Sequence, residues 1–338
     1  MYRHIDRVLG LALVVLLFAS LTINAARADA TTLRIAEQFG SASLPLIVMQ
    51  HEKLIEKKAS AAGLTLKVEW LTFGGGNVMN DALLSGSLDI AAAGVTPLLT
   101  IWDKTRTSLG VKGLASLGSV PFVLVSTDPL VKTVADLTPK DRIAVPAAKV
   151  SIQAVVLQMA AAQALGKAES HKLDAFSVSM KHPDAVAALV SGGTEINGHI
   201  SSSPYYEYEL EKAANAHVVM SSMDVVGPST NVALCATTKF YDANPAIVGV
   251  VLAALDEAID LINRDHDAAV RIYKEVTKEK YEDSFLLKAF FSGANVFTKT
   301  PQGFEKFAAF MHETGNLKNV PATWRDVFFP AIDASAGH

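Results

Sequence analysis

The chain has 338 residues, half of them hydrophobic and 19% charged, with a formal net charge of −4. That balance excludes a disordered chain, and a weakly acidic body does not suit nucleic acid, which requires clustered positive charge. A single cysteine, Cys235, excludes an internal disulfide and reads as a small buried hydrophobe.

At the start, Arg3 and Arg7 precede an apolar run from Val8 to Ala19, and Ala26-Arg27-Ala28 supplies small residues at a cleavage spacing. This order predicts a secretory signal over residues 1–28, cleaved before Asp29, with a soluble periplasmic product. The competing reading is a retained anchor over 8–26, which Ser20, Thr22 and Asn24 weaken. With no cysteine near the cleavage site, a lipid anchor is not expected.

Beyond that segment, short β-rich runs alternate with amphipathic helices. Leu33–Ala36 predicts a strand, and Gly40–Ser43 a polar turn. Leu44, Ile47, Val48, His51, Leu54 and Ile55 then fall on one face of a single helix ending at Gly63. On that face His51 reads as a satisfied core histidine. Leu64–Trp70 predicts a second strand, Phe73–Asn77 a turn into a helix ending at Gly86, and Leu88–Ala93 a third strand. Strand, helix and strand at this pitch imply a parallel sheet. The same grammar restarts with a strand at Arg142–Val145, a helix at Ser151–Leu165 and a strand at Ala175–Val178. A helix at Pro183–Val190 and a strand at Ile196–Ile200 complete that unit. Val120–Thr127 and Asn231–Thr237 read as extended connections between the two units. The last third is helical, with Val251, Ala254, Leu255, Ala258, Ile259 and Ile262 on one face. Further helices are expected near Ala268–Val276, Ser284–Phe291 and Gln302–Thr314.

Four stretches carry a resemblance. Leu83-Leu84-Ser85-Gly86-Ser87-Leu88-Asp89-Ile90 forms a helix-to-strand junction. Val134-Ala135-Asp136-Leu137 leads, through a divergent Thr138–Asp141, to Arg142-Ile143-Ala144-Val145-Pro146. Ala185–Gly193 and Glu195-Ile196-Asn197-Gly198 repeat the first junction, with Asn197 where an aspartate is usual. Phe240-Tyr241-Asp242-Ala243-Asn244-Pro245 opens an alanine-rich helix. In this order they resemble the nitrate/sulfonate/taurine branch of the periplasmic substrate-binding proteins. The resemblance implies an α/β, two-lobed type II fold, each lobe a mainly parallel sheet flanked by helices. Lobe one would comprise 29–122 and 234–338, and lobe two 123–233. It also implies capture of an anionic or heterocyclic small molecule by hinge closure, delivery to an ABC-transporter permease, and a monomer without a cofactor.

Ligands of open α/β sheets bind beyond the carboxyl ends of the strands. That rule selects Ser41, Ser43, Gly76, Asn77, Gly94 and Thr96 in the first lobe. In the second it selects Lys149, Ser151, Gln153, Ser202, Ser203 and Tyr205. Gly74-Gly75-Gly76 reads either as an anion-cradling nest, with Asn77 capping the next helix, or as a plain tight turn. Tyr205, Tyr206 and Tyr208 suit either ligand stacking or packing, and Glu207, Glu209 and Glu211 read as a solvated helix face. The nine histidines show no metal-ligand spacing, and no nucleophile elbow is present, so neither a metal nor an enzymatic role is expected. The alternatives are a thiamine-pyrimidine-precursor enzyme on the same fold and a membrane-tethered sensor.

Overall fold

The computed structural model describes residues 31–193 and 195–332; the expected signal segment at 1–28 lies outside the described residues. The chain begins with β1 (Thr31–Glu37), α1 (Leu44–His51), α2 (Leu54–Ala61), β2 (Leu66–Thr72), α3 (Gly76–Ser85), β3 (Ile90–Gly94), α4 (Val95–Thr105) and β4 (Lys112–Gly118). It continues through β5 (Val123–Ser126), β6 (Ile143–Val145), α5 (Ile152–Leu165), β7 (Ser177–Ser179), α6 (His182–Ser191), β8 (Gly198–Ser201), α7 (Tyr205–Lys212), β9 (His217–Ser221) and α8 (Ser222–Val225). It closes with β10 (Val232–Ala236), α9 (Thr238–Ala243), α10 (Pro245–Arg264), α11 (His266–Thr277), α12 (Asp283–Phe291) and α13 (Phe304–Glu313).

Two five-stranded sheets result, ordered β2-β1-β3-β10-β4 and β7-β6-β8-β5-β9. In each, three strands run parallel and a fourth, β10 or β5, lies antiparallel beside them. The chain leaves the first sheet after β4, enters the second at β5, and returns through β10. The parallel triplets follow from short apolar runs joined by right-handed helical crossovers. β3 and β10 are apolar and buried along their whole length, as central strands covered on both faces must be. Cys235 sits inside β10 with its side chain fully buried, and burial pushes its thiol up to about 12. The edge of β4 is covered by single bridges from the last part of the chain, Gly113 to Phe328 and Ser119 to Val296. Unpaired edge groups are thereby removed from solvent. α10 buries Val251, Ala254, Leu255, Ala258 and Ile262, and packs on α1 and α2.

The two halves share a wiring detail. Asp89 accepts the backbone N–H of Arg34 at 2.8 Å and grips its guanidinium, 2.8 Å from Nη2. Asn197 accepts the backbone N–H of Arg142 at 2.8 Å, across the same separation of 55 residues. The asparagine therefore does the backbone work of the aspartate it replaces, and its amide donates to Asp141 at 2.7 Å. Gly86 caps α3 in the left-handed conformation, as a helix-ending glycine should.

Two expectations are corrected here. The helix expected from Leu44 to Gly63 breaks at Glu52-Lys53, where Lys53 adopts a left-handed conformation with φ 53°. Leu54 and Ile55 stay buried across the break, while His51 is turned outward. His51 is therefore not a core residue. Its ring bonds Glu275 and Glu52, each at 2.9 Å, and these carboxylates raise its pKa, Glu275 foremost. The elements not expected from the sequence are α4, β4, β9, α8 and α9.

Candidate functional site

The carboxyl ends of the parallel strands in the two sheets face each other, and there the lobes touch. The N–H of Ser41 donates to the carbonyl of Ser203 at 2.8 Å, and Thr96 Oγ1 donates to the carbonyl of Val150 at 3.1 Å. Gly40, at φ 99°, brings its backbone so close that a Cβ there would lie 2.8 Å from Ser202 Oγ. Only glycine tolerates that combination of dihedral and contact.

The glycine run is corrected in its mechanism. None of Gly74, Gly75 and Gly76 takes a positive φ, so no nest forms. Each is instead a point of close approach. A Cβ at Gly74 would lie 2.8 Å from Lys181 Cγ, at Gly75 3.3 Å from the Pro146 carbonyl, and at Gly76 2.9 Å from Pro97 Cγ. Asn77 is not a cap either: Gly75 holds the N-cap position, and Asn77 sits exposed in the first turn of α3.

Of the other expected residues, Gly94 packs toward Ile152 of the second lobe, 3.4 Å from its would-be Cβ. Ser151 caps α5, accepting from the Ala154 N–H at 3.3 Å. Ser43 turns back on its own loop, donating to the Gln38 carbonyl at 2.6 Å. Ser41 is fully buried and its Oγ has no hydrogen-bond partner. Ser202 and Ser203 are buried at the seam, and Ser203 Oγ donates to Glu207 Oε1 at 2.5 Å. Lys149 is exposed. Gln153 is buried and meets His182 Nε2 at 3.3 Å. Most of the selected residues thus lie along the lobe seam, and the hydroxyls of Ser43, Thr96, Ser151, Ser203 and Tyr205 are engaged in protein contacts.

A cavity of about 240 Å³ opens beyond the ends of β1 and β2, where α7 of the second lobe meets them. Among the expected residues, Tyr205 borders it; Glu37, Gln50, Trp70, Tyr273 and Glu279 border it as well. Glu37 is the last residue of β1, 7% exposed, and its Oε2 has no partner. Burial pushes its carboxyl up to about 7, against a hydrogen bond from Thr72. Gln50 Oε1 is also buried without a partner. Opposite, Glu279 accepts from Tyr205 Oη at 3.0 Å and Tyr273 Oη at 3.1 Å. Burial raises the Glu279 carboxyl as well, while the two phenols work the other way. A wider groove of about 780 Å³ runs along Tyr206 and Leu210 beside α12, away from the strand ends.

Behind Tyr205 lies a second system, which corrects the reading of α7 as a solvated acidic face. Glu209 is fully buried and bonds His199 Nδ1 at 2.5 Å. His199 Nε2 meets His182 Nδ1 at 2.8 Å, and His182 stacks against Tyr205 with ring centroids 5.5 Å apart. Glu207 is half-buried on Ser203, while Glu211 is exposed. Burial pushes His199 down to about 3 and raises Glu209, so it favours the uncharged form of each. The cause is topological: α7 packs on β8, so its 205 and 209 positions face His199 rather than water.

Among the described residues no group of histidine, cysteine, aspartate and glutamate could hold a metal, and no helix is long and apolar enough to cross a membrane. The strand-end crevice between two crossed α/β lobes defines a type II periplasmic binding protein fold. No protein-family model matches the sequence, and no curated protein matches it. Solved structures do. The alkanesulfonate-binding protein of Xanthomonas axonopodis pv. citri, bound to MOPS, aligns with a TM-score of 0.66 at 18% identity, over 89% of this chain and 99% of that one. The periplasmic aliphatic sulphonate binding protein of Escherichia coli gives 0.63 at 19% identity, over 89% and 98%. The periplasmic nitrate-binding protein of Synechocystis gives 0.64 at 16%, over 87% and 83%. These neighbours match the resemblance read from the motifs, and at such identities the likeness is one of fold.

Proposed function

We propose that the chain is the extracytoplasmic solute-binding component of an ABC importer and not an enzyme. Residues 29–122 and 234–338 would form lobe one, and 123–233 lobe two. A monomer secreted to the periplasm would hold a small molecule between the lobes and present the closed form to a permease. Ser41, Gly94, Thr96, Ser151, Ser202, Ser203 and Tyr205 would form the closing seam. The observation that carries this reading is the pair of direct bonds across the strand ends, Ser41 to Ser203 and Thr96 to Val150, beside a cavity roofed by Tyr205. Contacts of this kind form only when the lobes close, so a ligand that touches both lobes shifts the population toward closure.

A thermal-shift screen tests the binding, since a ligand at 100 times its Kd adds about 2.7 kcal/mol. Small-angle scattering with the best ligand tests the closure. The reading requires a smaller radius of gyration in the bound form; equal radii would refute hinge capture.

A further inference from the structure

We propose that the strand-end cavity takes a small organic cation, a primary ammonium or amidinium on a compact apolar body. The inference rests on the binding-protein reading and names the ligand class for that same site.

The lining supplies acceptors and few free donors. Glu37 is buried with an unpartnered Oε2, and Gln50 adds a second unpartnered acceptor. Glu279 faces the cavity too, and the hydroxyl protons of Tyr205 and Tyr273 are both committed to it. Among the described residues no lysine or arginine lines this space. An anion would meet two carboxylates and no cation, whereas an ammonium N–H could satisfy Glu37 and Gln50 together. The walls are aromatic, with Trp70 and Tyr205 among them, which suits an organic cation through the ring faces. A bare metal ion lacks its ligand set here. The volume, about 240 Å³, lies below the usual range of about 300–1,000 Å³ and calls for a compact ligand. This departs from the anionic or heterocyclic molecule expected from the sequence, and from the sulfonate and nitrate named for the structural neighbours.

The titratable groups facing Glu37 across the cavity are Glu279, Tyr205 and Tyr273. Burial raises the Glu37 carboxyl to about 7, and a bound cation must displace its proton. Affinity for an ammonium that stays charged therefore rises with pH between 5 and 8, by up to tenfold per unit.

Isothermal titration of the whole chain with benzylammonium, phenethylammonium and benzamidinium chlorides tests this. Benzyl alcohol serves as the neutral control, and benzenesulfonate and nitrate as the anions. At least one cation should bind at least tenfold more tightly than benzyl alcohol near pH 8. Glu37→Gln should lower that affinity at least tenfold and remove its pH dependence, with thermal unfolding as the control for folding. Binding of an anion with no cation bound, no cation bound at about 10 mM (a free energy near −3 kcal/mol), or undiminished cation binding by Glu37→Gln would each overturn the proposal. A cation that binds without closing the lobes in scattering would refute the capture reading and leave the cation site standing.

Discussion

Replacing Glu37 with glutamine should stabilise the folded protein, by an amount that grows with pH. Burial moves the carboxyl from 4.5 to about 7. Because the folded value lies above the unfolded one, the native state holds its proton longer. Stability is fully present below about 4.5 and is lost as pH rises to about 7. At about 1.4 kcal/mol per unit, the loss is about 1 kcal/mol at pH 5 and about 3 kcal/mol at pH 8. Glutamine keeps the shape and an acceptor for Thr72 but carries no charge, so the variant escapes that loss. His199 runs the opposite way, its folded value depressed to about 3, so it loses stability as pH falls below 6.5. It is present in both proteins and cancels in the difference. Urea unfolding of parent and variant at pH 5 and pH 8 measures the gain, and at pH 8 a melting shift of about 5 °C is expected for a chain of about 300 residues. A variant no more stable than the parent at pH 8, or one with the same gain at both pH values, would refute a buried, uncompensated carboxyl.

Three other outcomes follow from the same geometry. His199→Leu leaves the buried His182 Nδ1 and Glu209 Oε1 without their partner, at about 1–3 kcal/mol each; urea unfolding should show a loss of about 4 kcal/mol, and a loss below about 1 would contradict the buried chain of bonds. Gly40→Ala places a Cβ against Ser202 in a conformation reserved for glycine, with a strain of about 1–3 kcal/mol. It should therefore weaken capture of any cleft ligand about tenfold in calorimetry, and unchanged affinity would mean the seam does not close there. Cys235 should resist a thiol reagent in the native protein at pH 8 and react promptly in urea, because its side chain is fully buried; fast native labelling would place it at the surface.

Much of the fold was legible because it rests on local rules. Strand and helix periods located β1, β6 and α10, and the repeated junctions at Asp89 and Asn197 marked the two halves. β4 was not legible: Lys112-Gly113-Leu114-Ala115-Ser116-Leu117-Gly118 carries glycine, serine and alanine, and gains its strand from β10 and the bridges at 113 and 119. In α1 the period was right, but no local signal marks the left-handed Lys53. The candidate cavity was legible only in part. Of the residues that the crevice rule selects, Tyr205 borders the cavity beyond β1 and β2, while Glu37, the last residue of β1, carries no sequence signal that marks it. Glu209 was misread because glutamates alternating along a tyrosine-rich helix, at its third, fifth and seventh places, are normally solvated. Only His199, on a different element, makes its burial tolerable.

The glycine run and Tyr205 together explain why charge can sit where it does. Gly74 and Gly75, without side chains, let Lys181 and Pro146 of the second lobe press against β2's exit, so the lobes meet closely beside the cavity. Tyr205 then closes its rim with two faces of one side chain. Its hydroxyl donates to Glu279 in the first lobe, while its ring rests on His182 in the second. The neutral chain from His182 to Glu209 gives that ring a rigid, uncharged backing. Any charge that enters the cavity therefore meets Glu37 and Glu279 without an opposing cation behind Tyr205. A protonated His182 would put a positive charge against the tyrosine and weaken attraction for a cation, and burial, followed by its neighbour His199, holds His182 well below its usual range. The buried histidines thus preserve the acidic character of the cavity across the pH range in which Glu37 ionises.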